Sequence, residues 1–165
     1  MRSLEAVGDR VATEVDRLQT RYIHALDRRR LSDWLACFAA ASSYVCITRE
    51  NVDQGLQLAI MLDDCHERLL DRVKFVEDVW AGTFEDYTTR HFVQRLTCDR
   101  TSDGDYAVES NLLVAYTSAE GRSELLVAGA YYDVVRVGDD ADATFVSKRA
   151  VLDTVATPRY LVYPI

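Results

Sequence analysis

The second half of the chain alternates long β-type runs with short turn sequences. The turns lie at residues 101–105, 118–121 and 138–142, each rich in Gly, Asp or Ser. Asp-Gly and Gly-Asp steps tolerate the positive φ that tight hairpins need. The pattern therefore predicts an antiparallel meander over residues 88–156, followed by a C-terminal tail over 157–165.

The first half is dominated by helical spacing. Apolar residues between Leu4 and Arg29 recur three or four positions apart, with charged residues mostly between them, which predicts one long amphipathic helix. Ser3 is its candidate N-cap. A second short helix with Trp34 and Phe38 on one face follows, so helices are predicted within 4–39.

Residues 44–48 read as a short strand, because they are apolar on both faces and the polar Arg49 follows. Helical spacing then returns over residues 56–81, with Asp63 and Asp64 as an acidic start and Gly82 as the stop.

This order of elements predicts an α+β fold in which a strongly bent antiparallel sheet wraps around the long N-terminal helix. With 165 residues, of which 48% are hydrophobic, the chain can bury a sizeable core, and we expect a single domain over 1–165. No apolar run approaches the roughly 20 residues that span a bilayer, and the N-terminus lacks an apolar signal. We therefore expect a cytoplasmic protein that does not bind membranes.

The charge and the metal-binding residue types exclude several function classes. The formal net charge is −8, and the basic run Arg28-Arg29-Arg30 is interpreted as a solvated helix end, so nucleic acid is not an expected partner. Cys37, Cys46, Cys65 and Cys98 form no C-x-x-C pair, and only three histidines are present. Neither a Rieske cluster nor a mononuclear iron site can be read from this pattern.

Several short motifs together resemble the small (beta) subunit of aromatic-ring-hydroxylating dioxygenases, the Rieske non-haem iron oxygenases. The matching pieces are Trp34-Leu35-Ala36, Thr48-Arg49-Glu50-Asn51, Leu62-Asp63-Asp64, Thr89-Arg90-His91, and the closing residues Lys148 to Asp153 with Pro158-Arg159. Residues 80–86 depart from the family, since many relatives carry a proline-containing loop there.

The resemblance implies a cone-shaped fold similar to nuclear transport factor 2 and scytalone dehydratase (cystatin-like). It implies an α3β3 hexamer whose large (alpha) subunit holds the Rieske [2Fe-2S] cluster and the mononuclear Fe(II). Electrons come from NADH through a reductase, in some members with a ferredoxin. The small subunit is usually structural, so no catalytic, cofactor-binding or metal-binding residue is expected in this chain. Residues 62–82 look closest to subunits that handle carboxylated aromatics such as benzoate, anthranilate or salicylate.

Candidate subunit contacts are the charged residues of the matching motifs, namely Arg49, Glu50, Asp63, Asp64, Arg90, His91, Arg149 and Arg159. Alternatives stay open for some of them. Arg90 or His91 could instead form a buried pair with Asp63 or Asp64. Arg149 and Asp153 lie four apart on a strand, so a local salt bridge is the favoured interpretation for them.

Two other function classes compete with the subunit hypothesis. One is a stand-alone dehydratase or isomerase of the same cone fold, in which Asp27, Tyr44, His91 and Tyr132 would converge as acid and base. The other is a non-catalytic domain that binds small ligands. Fold alone does not decide between these classes. A neighbouring gene for a Rieske-type large subunit would favour the first hypothesis.

Overall fold

A computed structural model describes residues 8–139 and 142–165. The helices are α1 (Asp9–Asp27), α2 (Leu31–Leu35), α3 (Arg49–Asp53) and α4 (His66–Lys74), the last of which continues as a π-helical segment, Phe75–Trp80. The strands are β1 (Phe38–Thr48), β2 (Ala59–Asp63), β3 (Tyr87–Arg100), β4 (Tyr106–Ser118), β5 (Ser123–Arg136) and β6 (Thr144–Leu152). The predicted cap Ser3 and the first turn of the predicted helix lie outside the described residues.

The six strands form one sheet in the order β2-β1-β6-β5-β4-β3. Strands β3 to β6 are the antiparallel meander that the turn sequences predicted. The sheet as a whole is not antiparallel, however, because β1 runs parallel to β6. These two strands lie far apart in sequence, so no hairpin turn fixes their relative direction.

Two of the predicted turns contain the left-handed glycines that tight hairpins require. Gly104 has φ 88° between β3 and β4, and Gly121 has φ 80° between β4 and β5. An L-residue with a Cβ rarely adopts this conformation, so glycine sets both turns. The third turn includes residues 140 and 141, which the structure does not describe.

Helix α1 lies against the concave face of the sheet, called here the inner face. Its buried stripe is Val15, Leu18, Tyr22, Ala25 and Leu26. The Tyr22 ring is the centre of an aromatic cluster, with four ring centroids 5.4–6.3 Å away that belong to Trp34, Phe38, Tyr131 and Phe145. Edge-to-face contacts of this kind add to the energy of apolar burial. The predicted bent sheet around a long N-terminal helix is therefore confirmed.

The helix predicted over 56–81 is wrong in its first part. Residues 59–63 form strand β2, which pairs antiparallel with β1, and α4 begins only at His66. Met61 and Asp63 are buried whereas Ile60 and Leu62 are exposed, which is the alternation of a strand. Ion pairing at the strand end fixes Asp63, so this residue closes β2 and does not start a helix.

The second helix is also shorter than the sequence indicated. It ends at Leu35, and Phe38 already belongs to β1, so the strand predicted at 44–48 spans 38–48. The small residues 39–43 extend the strand through an irregular stretch, in which the pairing with β6 shifts register between Phe38 and Ser43.

The tail over 157–165 has no regular secondary structure, yet its last residues are buried. Val162 is 6% exposed and Ile165 is 2% exposed. Within the described ranges, no helix is long and apolar enough to cross a bilayer.

Candidate functional site

A carboxylate and an imidazole meet between the end of α1 and the start of β3. Asp27 Oδ1 lies 2.6 Å from His91 Nδ1, and Asp27 Oδ2 accepts a hydrogen bond from the His91 main-chain N–H at 3.1 Å. The Thr89 hydroxyl donates to Asp27 Oδ1 at 2.9 Å. Alternation along β3 places Thr89 and His91 on the inner face, which faces α1.

These donors control the charge of Asp27. Burial by itself raises the pKa of the Asp27 carboxyl. The hydrogen bonds and charge of His91, together with the hydrogen bond from Thr89, lower this pKa by more than burial raises it, so it lies below its ordinary value. His91 Nε2 is buried and has no hydrogen-bond partner among the described residues. The pair thus fixes α1 to β3, and it also has the elements of a general base.

The partner of His91 differs from the sequence prediction. Pairing with Asp63 or Asp64 is wrong, because the Asp63 carboxylate accepts hydrogen bonds from both Nε and Nη2 of Arg72, the latter at 3.0 Å. Asp64 pairs instead with Arg68 one helical turn away. The Asp27–His91 contact joins residues 64 positions apart, and no local pattern could show it.

We expect Asp27→Asn to lower the free energy of unfolding by about 1–3 kcal/mol at pH 6, since hydrogen bonds to a charged carboxylate are lost. The pKa of Asp27 lies below the ordinary 3.8, so its stabilisation is complete above that pH and is lost as the pH falls through the folded-state pKa. Urea unfolding between pH 6 and pH 3 should therefore show that the gap in the free energy of unfolding between wild type and Asp27→Asn closes below about pH 4. Asp53→Asn, at an exposed position, is the control. A gap that stays constant to pH 3 would contradict this.

Tyr44 faces the interior but binds the tail of its own chain. Its hydroxyl donates to the main-chain oxygen of Ile165 at 3.1 Å and accepts from the Ile165 N–H at 2.9 Å. Tyr22 donates to the same Ile165 oxygen at 2.6 Å. The tail therefore occupies the part of the cone interior beside Tyr44, and the Tyr44 hydroxyl is hydrogen-bonded to the chain itself.

Tyr132 lies on the opposite, outer face of the sheet. Its neighbour Tyr131 is fully buried in the aromatic cluster, whereas Tyr132 is 37% exposed and lies beside Arg49. Asp27 and His91 thus meet, but Tyr44 is bound by the tail and Tyr132 points away. The four residues of the acid-base alternative do not line one pocket.

The sequence analysis missed a buried ion pair that no hypothesis had used. Lys148 Nζ donates to Asp133 Oδ2 at 2.9 Å and to Gln19 Oε1 at 3.2 Å, and both charged side chains are at most 1% exposed. Burial lowers the pKa of Lys148 and raises the pKa of Asp133, although each partner opposes that shift. Lys148 lies two and four positions before the buried Ala150 and Leu152, so the three side chains point to the same face of β6. This alternation is the sequence signal that could have indicated a buried lysine.

Most of the remaining candidate contact residues lie at the surface. Arg49 pairs with Asp153 at 3.3 Å, which makes the predicted Arg149–Asp153 salt bridge wrong. Arg149 is exposed on the outer face beside Tyr132, and Glu50 accepts from Gln54 on α3. Arg90 is exposed at the start of β3. Arg159 pairs with Glu85 and lies 5.6 Å from the Tyr116 ring centroid.

The cysteines behave as structural thiols. Burial raises the pKa of Cys37 to about 11 and that of Cys46 to about 12, so both stay protonated near neutral pH. Across residues 8–139 and 142–165, no group of three or more His, Cys, Asp or Glu side chains is arranged to hold a metal ion. The side chains of these described residues therefore do not fit a Rieske cluster, which needs two Cys and two His together.

Comparison with known proteins identifies similar chains. The family model of the ring hydroxylating beta subunit matches residues 21–158. The small subunit of anthranilate 1,2-dioxygenase from Burkholderia cepacia is 35% identical over 153 residues, which covers 92% of each chain.

Solved structures agree in fold. A beta subunit assigned to an aromatic-ring-hydroxylating dioxygenase of Novosphingobium aromaticivorans superimposes with a TM-score of 0.79 at 27% identity, covering 89% of this chain and 92% of that one. The beta subunit of benzoate 1,2-dioxygenase from Burkholderia mallei gives a TM-score of 0.66 at 18% identity, with 92% and 93% covered. The latter likeness supports the fold alone.

Proposed function

The chain belongs to the ring hydroxylating beta subunit family, and from this we propose that it is the structural small subunit of a multicomponent oxygenase acting on a carboxylated aromatic. The observation that carries the proposal is the 35% identity, over 92% of both chains, to an anthranilate 1,2-dioxygenase small subunit. Benzoate, anthranilate and salicylate are the substrate types we propose.

Three features support a scaffold without its own catalytic centre. The tail residue Ile165 occupies the interior beside Tyr44 and Tyr22. Asp27 and His91 bind each other, and the other two residues of the acid-base alternative lie elsewhere. The side chains of the described residues also do not fit an iron site. We therefore propose that the [2Fe-2S] cluster and mononuclear iron belong to a large-subunit partner, with NADH electrons arriving through a reductase. A cytoplasmic location stays a prediction.

We propose the outer face of the sheet as the main contact surface for other subunits. The exposed apolar residues Phe92, Leu113 and Leu125 lie there on three adjacent strands, with Phe92 directly opposite Leu113. Exposed apolar neighbours of this kind are typical of protein interfaces. Arg90 and Arg149 extend the same face, on which they add positive charge to a chain of net charge −8.

The other candidate contacts are proposed on the basis of their exposure. Glu50 and Asp64 are exposed, Arg49 and Arg159 are half-buried, and all four can reach a neighbouring subunit directly. His91 and Asp63 are buried in this chain, so they would act by holding Asp27 and Arg72 in place.

We expect the chain, coexpressed with a Rieske-type large subunit of the same gene cluster, to purify as a complex with the mass of three copies of each. Light scattering measures the mass, and metal analysis should find iron in the complex but less than about one-tenth of an iron per isolated small subunit. A monodisperse small subunit that oxidises the aromatic without its partner would overturn the proposal.

His91→Ala separates the scaffold from the acid-base alternative. In a scaffold, the variant should lose thermal stability and complex content together, while turnover per assembled complex stays within about twofold, because His91 only holds Asp27. An acid-base residue would cost roughly 100- to 10,000-fold in turnover in a normally assembled complex. His24→Ala, at an exposed site on α1, is the matched control.

A further inference from the structure

A groove of about 610 Å³ lies between the turn after the π-helical segment and the first residues of the tail. Four aromatic rings line it, namely Trp80, Phe84, Tyr87 and Tyr160. The Tyr87 hydroxyl donates to the main-chain oxygen of Tyr160 at 2.9 Å, which ties the tail to the start of β3. The Thr83 hydroxyl donates to the main-chain oxygen of Trp80 at 2.8 Å, which holds the turn. Both walls of the groove are thus fixed by hydrogen bonds.

Large apolar side chains at the rim of the groove are exposed to solvent. Tyr160 is 83% exposed, and Trp80, Phe75 and Val79 are exposed as well. The i→i+5 hydrogen bonds of a π-helix place residues four and five apart on one face, so Phe75, Val79 and Trp80 form one surface. The rings of Phe75 and Trp80 are in edge contact, with centroids 5.9 Å apart. Exposed Trp and Tyr side chains beside a concave surface are typical of the centre of a protein interface.

The groove and the apolar surface next to it carry net negative charge. Residues 75–89 include no lysine or arginine, and their carboxylates are Glu77, Asp78, Glu85 and Asp86. The last two are neutralised, because they pair with Arg159 and Arg29. The first two are exposed and lie three and two positions before Trp80. Lys74, one residue outside the segment, offsets only one of these two charges. The surface therefore favours a positively charged partner.

We propose that the groove docks a segment of a partner protein that presents an arginine between apolar side chains. The guanidinium would lie over the exposed faces of Trp80 and Tyr160, since a cation within about 6 Å of a ring centroid is attracted by the ring quadrupole. Glu77 supplies opposite charge beside Trp80. The apolar side chains on either side of the arginine would cover Phe75 and Val79, which removes exposed apolar area from water.

The chain makes the same kind of contact next to the groove. Arg29 lies 4.8 Å from the ring centroid of Tyr163, and that ring is 5.9 Å from the ring of Phe84, which lines the groove. An aromatic face in this region therefore already stabilises a guanidinium group, and the faces of Trp80 and Tyr160 are exposed for another. A free small cation would leave the apolar surface beside the groove uncovered, so a protein segment fits better.

Titration of the full chain with three capped tripeptides tests the proposal. The peptides are acetyl-Leu-Xaa-Leu-amides in which Xaa is arginine, norleucine or glutamate. The readout is the indole N–H resonance of Trp80 in NMR, and the fully buried Trp34 is the internal reference. We expect saturable shifts of Trp80 with the arginine peptide and about three- to tenfold weaker binding of the norleucine peptide. The glutamate peptide should give no saturable shift.

Three results would overturn the proposal. They are equal affinity for the arginine and norleucine peptides, shifts of Trp80 that do not saturate, and binding of methylguanidinium alone that is as tight as binding of the arginine peptide. The last result would mean that the groove is a site for small cations and not a docking surface. The peptides are tested on this chain alone, so failure to assemble with a large subunit would leave these results unchanged.

Charge reversal beside the groove locates the site without changing its rings. In the double variant Glu77→Lys/Asp78→Lys, the arginine peptide should lose its advantage and the glutamate peptide should bind at least as tightly. Glu50→Lys/Asp53→Lys, at exposed positions of α3, changes the net charge equally and should keep the wild-type preference. Melting curves confirm that both variants fold. An equal change of preference in the two variants would mean that net charge alone attracts the peptide, which would refute the docking site. If the first variant does not fold, the preference of the wild-type chain for arginine over norleucine decides.

Discussion

Gly129→Ala is expected to destabilise the fold by about 3 kcal/mol or more, although it adds a single methyl group. A Cβ at position 129 would lie 2.2 Å from the Val151 carbonyl oxygen and 2.9 Å from Leu152 Cα. Both are main-chain atoms of β6, so no side chain can move aside. Strands β5 and β6 would have to separate where Gly129 opposes Leu152.

The damage should extend to the end of β6. Just beyond it, the N–H of Asp153 donates to the Ala128 oxygen at 2.9 Å, and the Thr154 hydroxyl accepts from the Ala128 N–H at 2.9 Å. These bonds hold the beginning of the tail, so the variant should also loosen the residues that lead to Ile165.

Urea unfolding of Gly129→Ala beside Gly8→Ala measures the effect. A Cβ at Gly8 would meet nothing within 4 Å, and its φ of −56° suits alanine, so that control should stay within about 1 kcal/mol of wild type. Equal stability of the two variants would show that β5 and β6 are not in this close contact.

The meander was predictable because its signals are local. One signal is the alternation of apolar and polar residues along each strand, and the other is a turn glycine such as Gly104 or Gly121. Both lie within a few positions of the structure that they specify. The helical part of the chain was predictable where one stripe was long, as in α1. The helix prediction was wrong over residues 56–63, because the apolar residues there are compatible with both the helical and the strand period. Only the pairing with β1 makes residues 59–63 a strand.

The candidate site depended on contacts that sequence spacing does not contain. The acid-base alternative placed Asp27 and His91 in one pocket, but the ion-pair partners considered for His91 were Asp63 and Asp64, because nothing in the sequence shows that the end of α1 meets β3. The occupation of the interior by Ile165 was equally invisible, since Tyr44 and Ile165 are 121 positions apart. The alternation along β6 places Lys148 on the buried face, but an isolated lysine in a strand is usually exposed, so its burial was not predicted.

The outer face explains why the chain carries apolar residues on both faces of several strands. Leu112 and Val114 are buried on the inner face, whereas Leu113 is 43% exposed between them. A strand that serves only its own core would have a polar residue there. The pattern is consistent with the proposed role, in which one face builds the subunit and the other contacts its partners.

Lys148→Met should lower the free energy of unfolding by about 3–5 kcal/mol, because it leaves the Asp133 carboxylate buried without its cation. The ammonium also lies 3.4 Å from the Tyr131 ring centroid and 4.3 Å from those of Tyr22 and Phe145, and these cation–π contacts are lost as well. Lys74→Met, at an exposed position of α4, is the matched control and should change stability by no more than about 0.5 kcal/mol.

The double variant Lys148→Met/Asp133→Leu removes both charges. It separates the net contribution of the ion pair to the free energy of unfolding from the loss caused by leaving Asp133 without its cation. Removing both charges spares the desolvation of each, and buried pairs replaced by apolar residues are often neutral or more stable by about 1–4 kcal/mol. We therefore expect the double variant to recover most of the single loss in urea unfolding. A double variant as unstable as Lys148→Met would mean that the pair itself stabilises the cone. A single variant within about 1 kcal/mol of Lys74→Met would mean that Asp133 is already neutral in the folded chain, since protonation removes the penalty of an unpaired charge.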